Sequence, residues 1–145
     1  MSCLFGYCGP PDGGLLARMA ALLAHRCPSG WERVSGIAAT GETVEIGHGL
    51  ASWNRASQLA RRGHDLLGHG GVLFDADALI GPSDSRHGIA DRLLAEPGQK
   101  IDDGSWLERL TGAFVLALSR GDSFYLVRDP AGVKALYWTV RQGRL

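Results

Sequence analysis

Apolar residues in this chain fall in short runs separated by glycine, proline and acidic turns. Leu4 to Tyr7 is such a run, ended by Gly9-Pro10-Pro11, and predicts a strand at the start of the chain. Asp12 stands where a helix cap belongs. Leu15, Met19, Leu22 and Leu23 then recur at helical spacing to about Arg26, just before Pro28-Ser29-Gly30. The stretches 34–39 and 43–48 read as paired strands around Thr40-Gly41-Glu42, whereas the polar and basic stretch 52–63 reads as an irregular loop. A further apolar run covers 71–74, ahead of Asp75-Ala76-Asp77, and Ile89, Leu93 and Leu94 predict a helix over 86–95. Ser105-Trp106-Leu107-Glu108 has the form of a capping box and predicts a short helix closed by Gly112. Stretches 113–118 and 124–127 predict a hairpin turning at Arg120-Gly121-Asp122. Stretch 136–140 predicts a last strand, with a turn at Arg141-Gln142-Gly143. Many strands and three helices, each class partly grouped, predict α+β layers.

At 145 residues the chain can build one core but not two. Its 45% hydrophobic and 21% charged residues are ordinary for a globular domain, and 21 glycines fit many tight turns between short strands. The formal net charge of zero gives no reason to expect nucleic acid or an anionic membrane as partner. No apolar run reaches bilayer length and no charged leader precedes an apolar stretch, so the expected location is the cytoplasm. Three cysteines (Cys3, Cys8 and Cys27) and scattered histidines, of which His64 and His69 are the nearest pair, read as free or buried thiols rather than a zinc site. The chain stops at Leu145 without a helix to cover that edge, which predicts a longer protein.

Met1-Ser2-Cys3 carries the candidate chemistry. Removal of the initiator Met would leave Ser2 with a free α-amine, which titrates at about pH 8 and can act as the hydroxyl's own general base. Cys3 lies one residue too deep to use that amine.

Three ordered blocks then carry a resemblance. Trp106-Leu107-Glu108-Arg109-Leu110-Thr111-Gly112-Ala113-Phe114-Val115-Leu116-Ala117-Leu118 resembles the Leu-Glu-Arg-Leu-Asn-Gly-Met-Phe-Ala stretch of asparagine synthetases. Arg128-Asp129-Pro130-Ala131-Gly132-Val133-Lys134-Ala135-Leu136-Tyr137 resembles that family's Arg-Asp-x-x-Gly-x-Lys-Pro-Leu-Tyr, and His25-Arg26-Cys27-Pro28-Ser29-Gly30 its His-Arg-Gly-Pro-Asp-Gly. The resemblance implies a class II glutamine amidotransferase domain over residues 1–145, with the four-layer αββα sandwich of N-terminal nucleophile hydrolases. In that family an N-terminal Cys attacks the glutamine amide, and ammonia passes to an ATP-using synthetase domain.

The chain departs from the family where the chemistry sits. Ser2 occupies the Cys position and Cys3 the following Gly. The family's Asn-Gly-Glu-Ile-Tyr-Asn falls on Gly70-Gly71-Val72-Leu73-Phe74-Asp75, which keeps Gly71 as a substrate-binding candidate but loses the oxyanion-hole Asn. Gly-His-x-Arg becomes Gly47-His48-Gly49-Leu50, without the Arg that holds the substrate carboxylate. Asp84 matches the acidic residue that receives the substrate ammonium, yet the Glu two positions on is Arg86. A missing oxyanion donor costs roughly 3 kcal/mol in the transition state, and a lost buried Arg–carboxylate pair about 2–5 kcal/mol. His25 and Arg26 suit the negative end of the first helix, and Arg128, Asp129 and Lys134 suit ion pairs or a domain interface.

The resemblance therefore implies a domain without glutaminase activity, serving as scaffold or docking surface in an asparagine synthetase-like, amide-forming enzyme. Relatives that use an amine directly include β-lactam synthetases and lasso-peptide macrolactam synthetases. ATP and Mg²⁺ are expected only for the synthetase domain, in the same chain or as a partner, alongside a peptide or small-molecule amine; no cofactor or metal is expected here. The rival reading is a working glutamine amidotransferase with Ser2 as nucleophile, and a third is a stand-alone binding module.

Overall fold

The computed structural model describes residues 3–50, 58–74, 76–80, 88–95 and 107–145. Among them are seven strands: β1 (Cys3–Gly9), β2 (Trp31–Ile37), β3 (Thr43–Gly49), β4 (Leu59–Arg62), β5 (Asp65–Leu73), β6 (Gly112–Arg120) and β7 (Ser123–Arg128). The helices are α1 (Leu15–Leu22), α2 (Ala76–Ile80) and α3 (Ile89–Ala95), with single 3-10 turns at Ala24–Arg26 and Leu107–Arg109. All strand pairs are antiparallel. One sheet has the order β1-β3-β2 and the other β4-β5-β6-β7. The two predicted hairpins form as read: Gly41 (φ 87°) closes β2–β3 and Gly121 (φ 60°) closes β6–β7.

Alternation along each strand sends one set of side chains between the sheets. Val44, Ile46, Leu66 and Ala117 form that inter-sheet core, with Leu4, Val34, Leu59, Phe124 and Leu126 against it. The opposite face of the four-stranded sheet builds a second core. There Leu67, Phe114, Leu116 and Leu118 meet Ala90, Leu93 and Leu94 of α3. Full burial of each Leu, Ile or Phe contributes about 1.5–3 kcal/mol. The sheets come together over Gly68, where a Cβ would stand 2.6 Å from Ile46 Cγ2 and 2.8 Å from Leu4 Cδ1.

The four-layer αββα sandwich is not formed: among the described residues strand predominates, 45% against 20% helix, in two antiparallel sheets with few helices. The physical reason lies in helix length. Helix α1 has eight residues, bounded by Gly13-Gly14 before and Pro28-Ser29-Gly30 after, and spans about 12 Å. A seven-residue strand runs about 23 Å. Leu16 and Ala20 of α1 are buried, but Trp31, Arg33, Ser35 and Ile37 on the outward phase of β2 remain exposed. A single short helix cannot make a layer over that face. Among the described residues, helices α2 and α3 cover five and seven residues.

Smaller corrections follow the same logic. Within the stretch read as loop, residues 59–62 are a strand. Arg61 Nη1 donates to the Ser35 carbonyl at 3.0 Å and His64 Nδ1 to the Ile37 carbonyl at 3.0 Å, so basic side chains cap the open edge of β2. The helix starts at Ile89 instead of residue 86, and the capping-box helix is one 3-10 turn; residues 86 and 87, 105 and 106 lie outside the described residues. Stretch 136–140 forms no strand and joins neither sheet. The edge it would need on β1 is taken by Leu145, whose N–H and carbonyl both bond Cys8 at 2.9 and 3.1 Å. Asp12 does not cap α1 directly: its Oδ1 accepts from Gly14 N–H at 3.1 Å, and Gly14 is the N-cap.

Glycine positions separate packing from flexibility. Gly68→Ala should destabilise by about 1–3 kcal/mol because the sheets must part. Gly13→Ala, with nothing within 4 Å of the added carbon, should stay within about 0.5 kcal/mol of the parent or exceed it slightly in urea denaturation.

Candidate functional site

At one end of the inter-sheet space the apolar alternation gives way to polar side chains. The inward phase of β3 runs Val44, Ile46, His48, and His48 is fully buried opposite Leu4 of β1 and Glu32 of β2. Its Nδ1 lies 3.6 Å from Glu32 Oε1. The same Glu32 oxygen accepts the backbone N–H of Gln58 at 3.1 Å. Gln58, itself buried, then meets His69 of β5 twice. The His69 N–H donates to the Gln58 carbonyl at 2.8 Å, and His69 Nδ1 bonds the side-chain oxygen at 2.5 Å. An amide oxygen cannot donate, so Nδ1 carries the proton and Nε2 is the bare acceptor. Both nitrogens of His48 and Nε2 of His69 are buried with no hydrogen-bond partner among the described residues.

Burial, then the nearby charges of His48 and Lys134, push His69 down to about 4. His69 is therefore neutral near pH 7 and holds Gln58 through one fixed tautomer. Both imidazoles have zero exposed surface, so the arrangement orients backbone and side chains rather than presenting a base to substrate.

The Arg128–Lys134 block beyond β7 folds around Asp129. The Asp129 N–H bonds the Phe114 carbonyl at 3.0 Å, and its carboxylate accepts from Val133 N–H at 2.7 Å and Lys134 N–H at 3.0 Å. Gly132, at φ 67°, makes the turn. Burial alone would raise this carboxyl, but backbone hydrogen bonds at Lys134, Val133 and Phe114, with the charge of Arg128, hold it below the ordinary carboxylate range. The Arg-Asp-x-x-Gly pattern is thus a loop-building device, and backbone donors take the carboxylate that was read as an ion-pair member.

Of the residues read as site candidates, Ser2 and Asp84 lie outside the described residues. Gly71 is described, at φ 106° on β5, where a Cβ would run into the Ala113 carbonyl; its place is dictated by the backbone. At Gly70, where the family has its oxyanion Asn, an added Cβ would meet Val115 Cγ2 at 3.2 Å and Leu4 Cβ at 3.4 Å. Leu50, at the family's Arg position, bonds the Gly30 carbonyl through its N–H at 2.9 Å. Glu32, Gln58 and His69 belong to no motif in the sequence, and His48 only to the Gly47-His48-Gly49-Leu50 stretch. The signal for His48 was its strand phase, two residues beyond Ile46.

Among the described residues no three His, Cys, Asp or Glu side chains come together to hold a metal ion. No helix among them is long and apolar enough to cross a membrane. Compared with protein-family models, curated proteins and solved structures, the chain shows no match.

The buried neutral His69 makes stability depend on pH. Its pKa is about 4 folded and 6.5 unfolded, so only the unfolded chain takes up that proton between these values. The contribution is complete above about pH 6.5 and disappears as pH falls toward 4, a loss of roughly 3 kcal/mol. Urea midpoints across pH 4–8 should show this slope, and His69→Gln should flatten it. Asp129, whose carboxyl is lowered, adds a separate loss below the ordinary carboxylate range.

Proposed function

We propose that this chain is a docking domain without glutaminase activity, working with an ATP-dependent, amide-forming synthetase of the asparagine synthetase kind. One observation carries the reading: an exposed apolar strip held at both ends. The Asp129 turn fixes its start on the four-stranded sheet, while the Leu145–Cys8 pair and Arg144, which donates to the Pro10 carbonyl at 2.8 Å, fix its end on the three-stranded one. Between these anchors Tyr137 is 91% exposed and Trp138 68%, with Val133 and Val140 beside them. Anchored aromatic side chains lose little freedom on binding and are common interface hot spots.

The strip also has a sign. Arg128, Lys134, Arg141 and Arg144 lie along it, and its sole acidic residue, Asp129, is buried. The partner is therefore an apolar surface with an acidic rim. Gly70 and Leu50, in place of the oxyanion Asn and the carboxylate-binding Arg, support an inactive site.

Two experiments test this reading. The purified chain and its Ser2→Cys and Ser2→Ala forms should release equal, negligible glutamate from glutamine; release by the parent that Ser2→Ala abolishes would restore the catalytic alternative. A synthetase domain of this type from the same genome should bind the chain in calorimetry. Tyr137→Ala with Trp138→Ala should weaken that binding by about 10- to 100-fold while leaving the urea midpoint nearly unchanged.

A further inference from the structure

Two thiols from distant parts of the chain meet above the three-stranded sheet. Cys3 opens β1, paired with Gly49 of β3, and Cys27 follows the 3-10 turn that ends the α1 segment. Their sulfurs are 2.6 Å apart across 24 residues of sequence. Gly49 makes the meeting possible, since a Cβ there would run into Cys27 Sγ and come within 2.7 Å of Cys3 Sγ. Cys27 is held from both sides: its N–H bonds the Ala24 carbonyl at 3.2 Å and its carbonyl accepts from Gly30 at 3.1 Å. Cys3 is fixed by the β1–β3 ladder. Cys27 is buried and Cys3 half-buried, whereas Cys8 points elsewhere, 4.0 Å from Glu42 Oε2.

We propose that Cys3 and Cys27 are a reversible redox pair whose disulfide clamps the start of β1 to the α1–β2 connection. The oxidant class is a low-molecular-weight disulfide such as glutathione disulfide. The half-buried Cys3 thiolate attacks one of its sulfurs and expels one thiolate. Cys27, as thiolate, then attacks the Cys3 sulfur of the mixed disulfide and expels the second. The protein pair loses two electrons and two protons, and the small disulfide becomes two thiols. Burial, the hydrogen bond with Cys27 and that residue's charge push the Cys3 thiol up to about 12, so Cys3 is protonated near pH 7 and the first attack is slow.

The clamp has a local consequence. Cys27 lines an apolar groove of about 240 Å³ together with Phe5, Ala20, Ala24 and Trp31. Phe5 and Trp31 face each other there with ring centroids 5.9 Å apart. The bond would fix that wall of the groove and remove a 24-residue loop's freedom from the unfolded chain.

The test uses the full chain, reduced, desalted and incubated with glutathione disulfide, then alkylated, digested and weighed. The expected product is a Cys3–Cys27 cross-linked peptide pair two hydrogens lighter than its reduced parts, reversed by dithiothreitol. The oxidised protein should melt roughly 5–10 °C higher. Cys8→Ser should keep the full rise, and Cys3→Ser and Cys27→Ser should each abolish it. The proposal is overturned if Cys3 and Cys27 end as separate glutathione adducts, stay fully alkylatable, or cross-link to Cys8 as readily as to each other.

Discussion

The close approach of two glycine-lined β-sheets is the constraint on which the rest of this structure depends. Leu4 and Ile46 from one sheet fill the space that Gly68 leaves in the other, and Leu66 reaches back toward Gly36. With the sheets that close, the inter-sheet space is filled by Val44, Ile46, Leu66 and Ala117 with Phe124 against them, and buried His48 lies at its end, 3.6 Å from Glu32. The same closeness leaves little room for a side chain at Gly70, where an added carbon would meet Val115 Cγ2 at 3.2 Å and Leu4 Cβ at 3.4 Å.

Much of this was legible in the chain before any coordinates. The β2–β3 and β6–β7 hairpins announce themselves because β-branched and aromatic runs flank glycine turns that need positive φ. Helix α1 is legible from leucines at helical spacing. Strands β4 and β5 were harder, for opposite reasons. Arg61 and Arg62 make an edge strand look like a loop, since Arg61 caps the neighbouring sheet at Ser35 and Arg62 pairs with Asp91 of α3. Gly68-His69-Gly70-Gly71 lacks the apolar alternation of a strand because the opposite sheet supplies the side chains. The four-layer architecture failed on a quantity that motifs do not encode, the length of the helices. Stretch 136–140 has strand-like residues, but strand propensity needs an open edge to pair with, and Leu145 already occupies it.

The polar residues divide by what their surroundings allow. Asp129 is fully engaged by backbone donors and spends its charge on shaping a loop, which in turn sets where Tyr137 and Trp138 are displayed. His69 is buried and neutral and ties β5 to Gln58 before β4 at the expense of acid stability, while His48 lies buried beside Glu32. The cysteines form a third arrangement on the opposite face of the three-stranded sheet, dependent on the bare backbone of Gly49. Each polar group thus acts on the position of a chain segment, and the outward-facing aromatic strip is where those positions reach solvent.

The proposal that this chain does not bind glutamine is tested most directly by observing the backbone around Leu4, His48, Gly70 and Gly71 as glutamine is added. In a ¹⁵N-labelled sample titrated with millimolar L-glutamine, the account predicts that the amide signals of Leu4, His48, Gly70 and Gly71 stay in place. Saturable shifts of those four signals, with the rest of the spectrum unmoved, would contradict it.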